Sequence, residues 1–200
     1  MAIVEYPKRA ERSLQWLKRC PSKLTAIQHL GYPGWQAAFR WAEKQVTYGN
    51  IKVLGKVFGS KDKMVNVYGW QCKADQLGHE AELSDILVHF EADGIPWCRG
   101  EDVDSAFRAD ADIREYGHVF HLELDRDTER RRALARRVQF YAKGSDFVLF
   151  VAPHDRRIKQ VREIGSFLGD QLLLTTYAKA SKDPFGKNVW EDIYGNKCSL

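Results

Sequence analysis

Apolar residues recur at helical spacing through the first fifty positions, and then the period changes. Glu11 to Arg19 sets Leu14, Trp16 and Leu17 among charged residues, a short amphipathic helix that Pro21 ends. Ser22 is placed to cap a second helix, Lys23–Leu30, with Leu24, Ile27 and Leu30 on one stripe. The breaker Gly31-Tyr32-Pro33-Gly34 separates it from a third helix, about Trp35 to Val46. There Ala38, Trp41, Ala42 and Val46 keep helical spacing, leaving Gln36, Arg40, Lys44 and Gln45 to face outward, and Trp35 and Trp41 read as core aromatics. After Gly49-Asn50 the period falls to two. Ile51, Val53 and Val57, then Val65, Val67 and Trp70, flank a polar tip at Gly59–Lys63 and predict a half-buried hairpin.

Three helices followed by a basic-tipped hairpin make a winged helix-turn-helix, expected over residues 1–75. In that arrangement the third helix enters the major groove and the wing touches backbone phosphates. Gln36, Arg40 and Lys44 are then the groove-facing candidates, and Lys52, Lys56, Lys61 and Lys63 the phosphate contacts. Charge points the same way. Residues 1–75 hold 13 Lys and Arg against 5 Asp and Glu, while residues 76–200 hold 18 against 22. A basic first third fits a polyanion, and double-stranded DNA is the commonest one. The same architecture also serves as a protein–protein module or a scaffold.

The remainder alternates helix and strand. Ala81, Leu83, Ile86, Leu87 and Phe90 keep helical spacing until Gly94, and Ile95–Cys98 is a short strand. In Phe107–Arg114 (FRADADIR) and Val119–Asp125 (VFHLELD) apolar residues alternate with polar ones, joined by a turn at Glu115–His118. Period-two geometry places Asp110 and Asp112 on one face of one strand, and Glu123 and Asp125 on one face of its neighbour. Carboxylates gathered so closely need solvent, arginine partners or a hard cation such as Mg²⁺ or Mn²⁺. An arginine-rich helix, Thr128–Tyr141 with Asp127 or Thr128 as cap, precedes the apolar run Phe147–Val151 (FVLFV), which reads as a strand buried on both faces. A helix at Asp155–Leu168 and a strand at Gln171–Tyr177 follow. The order is α-β-β-β-α-β-α-β over residues 76–178, with an irregular tail at 179–200. The fold class is therefore a two-domain α/β (α+β) chain.

That order, with an acidic residue on one strand and an E-x-D on the next, resembles the αβββαβ core of the PD-(D/E)XK (restriction-endonuclease-like) nuclease superfamily. The resemblance implies that Asp110 and Glu123 hold Mg²⁺ or Mn²⁺, with Asp112, Asp125 and Glu80 or Glu82 as auxiliary acids. Asp125 stands where that family has Lys, so Arg137 is the candidate to stabilise phosphorane charge. His121, on the same strand face, is a candidate base or an ordinary hydrogen-bonded residue. A second resemblance covers roughly residues 20–165. Arg108-Ala109-Asp110-Ala111, then Glu123-Leu124-Asp125-Arg126-Asp127-Thr128, then Arg137 and Tyr141, resemble the replication-relaxation family of plasmids and mobile elements. Ala109 stands where Pro is usual there, and Arg137 where Lys is common. The family implies DNA association in replication, relaxation or transfer, without an established catalytic activity.

Composition excludes several other classes. The chain is 44% hydrophobic, 12% aromatic and 29% charged, which suits a folded domain rather than a disordered or fibrous chain. No apolar run approaches a membrane span, and the N-terminal residues lack a signal-peptide core, so a cytoplasmic protein is expected. Cys20, Cys72, Cys98 and Cys198 are widely spaced, arguing for reduced thiols. No Gly-rich phosphate loop is present. Three functions follow as expectations: a DNA-binding protein of a mobile element, with replication or transfer proteins or a second copy of itself as partners; a metal-dependent endonuclease or nickase; or a transcriptional regulator with a degenerate nuclease-like domain.

Overall fold

The structure, a computed structural model, describes residues 6–59, 63–99, 108–144 and 146–200. It is mixed α/β and divides into two compact units, Met1–Asp93 and Gly94–Leu200. Among the described residues no helix is long and apolar enough to cross a membrane.

The first unit runs α1 (Tyr6–Arg19), β1 (Ser22–Lys23), α2 (Leu24–His29), α3 (Trp35–Thr47), β2 (Lys52–Phe58), β3 (Met64–Gly69) and α4 (Leu77–Asp93). Its three strands form an antiparallel sheet in the order β1-β3-β2. Ser22 does not cap a helix. It lies in β1 opposite Tyr68, where its hydroxyl accepts from Trp16 Nε1 at 2.6 Å and donates to the Cys20 carbonyl at 2.9 Å. Strand pairing satisfies the backbone groups that a cap would otherwise have served. Gly31 (φ 108°) and Gly49 (φ 72°) turn the chain after α2 and α3 in the left-handed region that glycine tolerates. Trp16, Leu17, Ile27, Leu30, Ala38 and Trp41 are buried and make the core of this unit.

α4 belongs to this unit, whereas the sequence reading opened the second domain with it. It packs on α2, β1 and β2, and Leu77 and Ala81 join Val67 in one apolar cluster. Polar ties add to this. Lys23 Nζ meets Asp85 Oδ2 at 2.6 Å with both side chains nearly buried, and Arg12 and Arg19 face Glu91 at 3.7 and 3.8 Å. The five acids of residues 76–93 therefore sit with the basic third, and 13 cations face 10 anions over Met1–Asp93. The basic residues fall in two stretches: residues 6–34 hold six Lys and Arg against Glu11, and residues 35–69, with α3 and the hairpin, hold six against Glu43 and Asp62.

The second unit is built on one seven-stranded sheet. Its elements are β4 (Trp97–Cys98), β5 (Ala111–Glu115), β6 (His118–Leu124), α5 (Arg131–Phe140), β7 (Phe147–Ala152), α6 (Asp155–Ile164), β8 (Leu172–Thr176), α7 (Tyr177–Ala180), β9 (Trp190–Glu191) and β10 (Lys197–Cys198). The strand order is β10-β9-β8-β7-β6-β5-β4. β5 and β6 form the expected hairpin, closed at Tyr116 and Gly117 with φ of 51° and 79°, the two positive values of a type I′ turn. β7 pairs in parallel with β6 and β8, as a continuous apolar run demands. Leu134, Val138 and Tyr141 pack with Val148, Phe150, Ile158 and Val161 in one cluster, so α5 and α6 cover the same sheet face.

Three local expectations change. α5 starts at Arg131 without a side-chain cap, because Asp127 takes φ 55° and its N–H donates to Asp125 Oδ1 at 3.1 Å. Residues 179–200 are not an irregular tail, since β9 and β10 extend the sheet and Trp190 is wholly buried, donating to the Pro184 carbonyl at 2.8 Å. Gln45 turns inward, where its Oε1 accepts from Asn50 Nδ2 at 2.7 Å.

Candidate functional site

The alternation of β5 and β6 brings the acids of the second unit together. Asp112 stands opposite His121 in the ladder, and the Asp110 N–H donates to the Leu122 carbonyl at 3.0 Å just before β5 begins. Asp110 Oδ2 in turn accepts from the Leu124 N–H at 2.7 Å, which fixes its carboxylate beside Glu123. Asp110 and Glu123 line one pocket of about 350 Å³ with Arg108, Glu129, Ala133, Arg136 and Arg137. Three guanidinium groups thus share it with three carboxyl groups. Arg108 and Arg136 are exposed, Arg137 half-buried and Glu123 buried.

Glu123 is the centre of this site. Tyr141 donates its hydroxyl to Oε1, and Arg137 Nη1 reaches Oε2 at 3.2 Å while its Nη2 holds Glu129. Burial, and then the charge of Asp110, push the Glu123 carboxyl up to about 8, against the pull of Arg137. Burial also raises the Tyr141 phenol, so it stays a neutral donor. The remaining acids are used differently. Asp112 is buried against His121 Nδ1 at 2.7 Å, and His121 Nε2 lies 3.6 Å from Asp146. The hydrogen bond that the Asp112 carboxylate accepts from the ring raises the His121 pKa above its ordinary value against the opposing effect of burial. The imidazole is a held, hydrogen-bonded group.

Asp125 is not at the pocket. It lies just past the end of β6, buried, and takes Arg157 Nε and Nη2 on its two oxygens, the second at 3.3 Å. Arg157 comes from the first turn of α6 and also reaches Asp127 at 3.0 Å and the Glu129 carbonyl at 3.1 Å. This is a structural lock between β6, the following loop and α6. Glu80 and Glu82, offered as auxiliary acids, stand on α4 in the first unit. Among the described residues no three His, Cys, Asp or Glu side chains are grouped to hold a metal ion. Both Glu123 oxygens have partners, one of them a guanidinium, so Glu123 as arranged offers no open oxygen to a divalent cation.

In the first unit, Gln36, Arg40 and Lys44 form an exposed row on α3, with Glu43 beside them. Lys52, Lys56 and Lys63 are exposed on and beside the hairpin, and Lys61 lies outside the described residues. Trp41 is core as expected. Trp35 is 54% exposed and stacks on Phe39, with ring centroids 5.2 Å apart and planes 3° apart. Trp35 is therefore not the core aromatic expected from the sequence, and it precedes the first buried position of α3, Ala38.

Sequence reasoning missed Glu129, Arg136 and Arg157 as partners, and gave Tyr141 no place beside Glu123. Arg137 and Tyr141 are four residues apart, and that spacing is a readable signal for a shared helical face. Arg157 carries no such signal, being 32 residues from Asp125. No known protein family and no curated protein matches this chain.

Removing Asp125 leaves the Arg157 guanidinium buried without its counter-charge. Asp125→Ala is expected to cost about 3–5 kcal/mol in urea unfolding; a loss below about 1 kcal/mol would make the pair no stronger than a surface bridge. Glu123 gives a pH signature of opposite kind. Its folded pKa is raised, from 4.5 to about 8, so the folded state binds the extra proton and its contribution to stability falls as pH rises across that interval. In thermal melts from acid to alkaline pH, Glu123→Gln should lose this slope and gain on the unaltered protein as pH rises.

Proposed function

We propose that this chain is a DNA-binding protein that grips duplex DNA through the first unit, acting in replication, relaxation or transfer of a mobile element. The observation that carries the reading is the exposed row Gln36, Arg40 and Lys44 on α3, next in sequence to a hairpin bearing Lys52, Lys56 and Lys63. The order α1-β1-α2-α3-β2-β3 with a β1-β3-β2 sheet supports reading this unit as a winged helix, with α3 assigned to the major groove. Arg40 then reads a base edge, and the hairpin lysines neutralise phosphates and release counterions. The mobile-element setting rests on the sequence resemblance alone.

Binding of a labelled duplex across a salt series tests this. Arg40→Ala should weaken the preferred site by about 1–3 kcal/mol. Lys52→Ala and Lys56→Ala should each flatten the slope of log affinity against log salt by about 0.9. Unchanged slopes would remove the hairpin from the interface.

A second reading, DNA cleavage by the second unit, is favoured by one observation: Asp110 and Glu123 share a pocket with Arg108, Arg136 and Arg137. Those arginines suit a phosphodiester. Cleavage by a bound cation would require Glu123 to exchange Arg137 and Tyr141 for the metal when DNA arrives. Supercoiled DNA incubated with Mg²⁺, Mn²⁺ or EDTA separates the readings on one gel. Nicking that needs metal and disappears in Glu123→Gln supports cleavage, whereas retarded but intact DNA in every lane leaves binding alone.

A further inference from the structure

The proposed contacts on α3 do not use its exposed aromatic residues, Trp35 and Phe39. Trp35 and Phe39 lie one helical turn apart, stacked on each other and exposed, at the start of the helix that carries Arg40 and Lys44. At the other end Tyr48 is 62% exposed, with the Lys44 ammonium 5.5 Å from its ring centre. Large aromatic faces left in water are unfavourable unless something covers them. They bracket a row of cations, so the occupant must offer flat apolar faces together with negative charge. A base-paired duplex hides its base faces within the stack and offers only edges and phosphates. Unpaired nucleotides offer both, one face and one phosphate per residue.

We propose that α3 binds DNA with unpaired bases, such as a melted segment or a single-strand junction, by stacking bases on Trp35 and Phe39 while Lys44, and Arg40 in place of the base edge it would read in a duplex, hold the phosphates. The pair is already parallel and preorganised, so little side-chain freedom is lost when a base joins the stack. Glu43 lies on the same helix between these groups, and its Oε1 is 3.4 Å from the Tyr68 hydroxyl. The inference rests on reading the first unit as a nucleic-acid interface, and it narrows the substrate to opened DNA.

The test is fluorescence anisotropy of the full chain with three labelled probes of equal length: an oligothymidine strand, a duplex, and a duplex with a central run of mismatched thymines. The strand and the mismatched duplex should bind more tightly than the perfect duplex. Trp35→Ala should weaken both by on the order of tenfold or more, the loss of one stacked base, and change perfect-duplex binding less than about twofold. Trp35→Phe, which keeps a ring, should restore most of the affinity. Trp35 is exposed, so the variants should melt with the unaltered protein, and matched melts verify it.

If the duplex binds in an Arg40-dependent way while Trp35→Ala changes no probe, the inference falls and the proposed function stands. If only opened DNA binds and Trp35→Ala abolishes it, the inference stands and the duplex reading falls. Binding of none of the probes overturns both. Sedimentation of the same variants covers the remaining occupant: a dimer that Trp35→Ala dissolves, with oligonucleotide binding untouched, makes the pair a subunit interface and overturns the inference.

Discussion

A carboxylate on a buried sheet face must be given a counter-charge or a proton, because desolvation of the bare ion costs more than the surrounding apolar contacts return. The second unit meets this constraint three times within a few residues. Asp112, Glu123 and Asp125 are all buried on or next to β5 and β6, and each is answered differently. Asp112 takes the His121 ring across the ladder, Glu123 takes Arg137 and Tyr141, and Asp125 takes Arg157. Much of the architecture follows from those pairings. The helix after β6 must supply Arg137 and Tyr141, and the helix after β7 must supply Arg157, so both crossovers lie over the acidic face. Leu134, Val138, Ile158 and Val161 then cover the apolar half of the same face.

The three answers differ in what they leave available. Arg157 is nearly inaccessible and its donors reach four residues, which makes it a clamp. Arg137 is part-exposed at a pocket whose other arginines face solvent, and burial, then Asp110, push the Glu123 carboxyl up to about 8. Asp110 and Glu123 thus lie side by side in the lining of that pocket, and perturbed carboxyl groups in a cleft cluster at functional sites. The acid that sequence logic most naturally joined to Glu123, Asp125, is removed to the structural side.

The first unit solves a similar problem with one pair, Lys23 on β1 and Asp85 on α4, both nearly buried. That bond, with the apolar contacts of Leu77 and Ala81, fastens an acidic helix to the basic third of the chain. The consequence is electrostatic. Net charge over the unit is modest, and on α3 and the hairpin exposed cations lie beside exposed aromatic rings.

Periodicity alone located most elements. The change from helical to period-two spacing after Gly49, the paired alternation of FRADADIR and VFHLELD, and the apolar run FVLFV each became the strands they predict, because side-chain direction repeats with backbone geometry. It also put Asp110, Asp112 and Glu123 on one face, and left Gln36, Arg40 and Lys44 outside. What it could not supply were partners far along the chain. Ser22 looked like a cap until β3 arrived beside it, residues 190–198 looked irregular until they joined a sheet edge, and α4 was assigned by order rather than by what it touches. Asp125 and Glu123 are equivalent by alternation and opposite in role, because Arg157 reaches one and Arg137 the other. Local pattern fixes which way a side chain points; only the assembled fold determines what meets it there, since burial and charge pairing depend on groups brought together from distant positions.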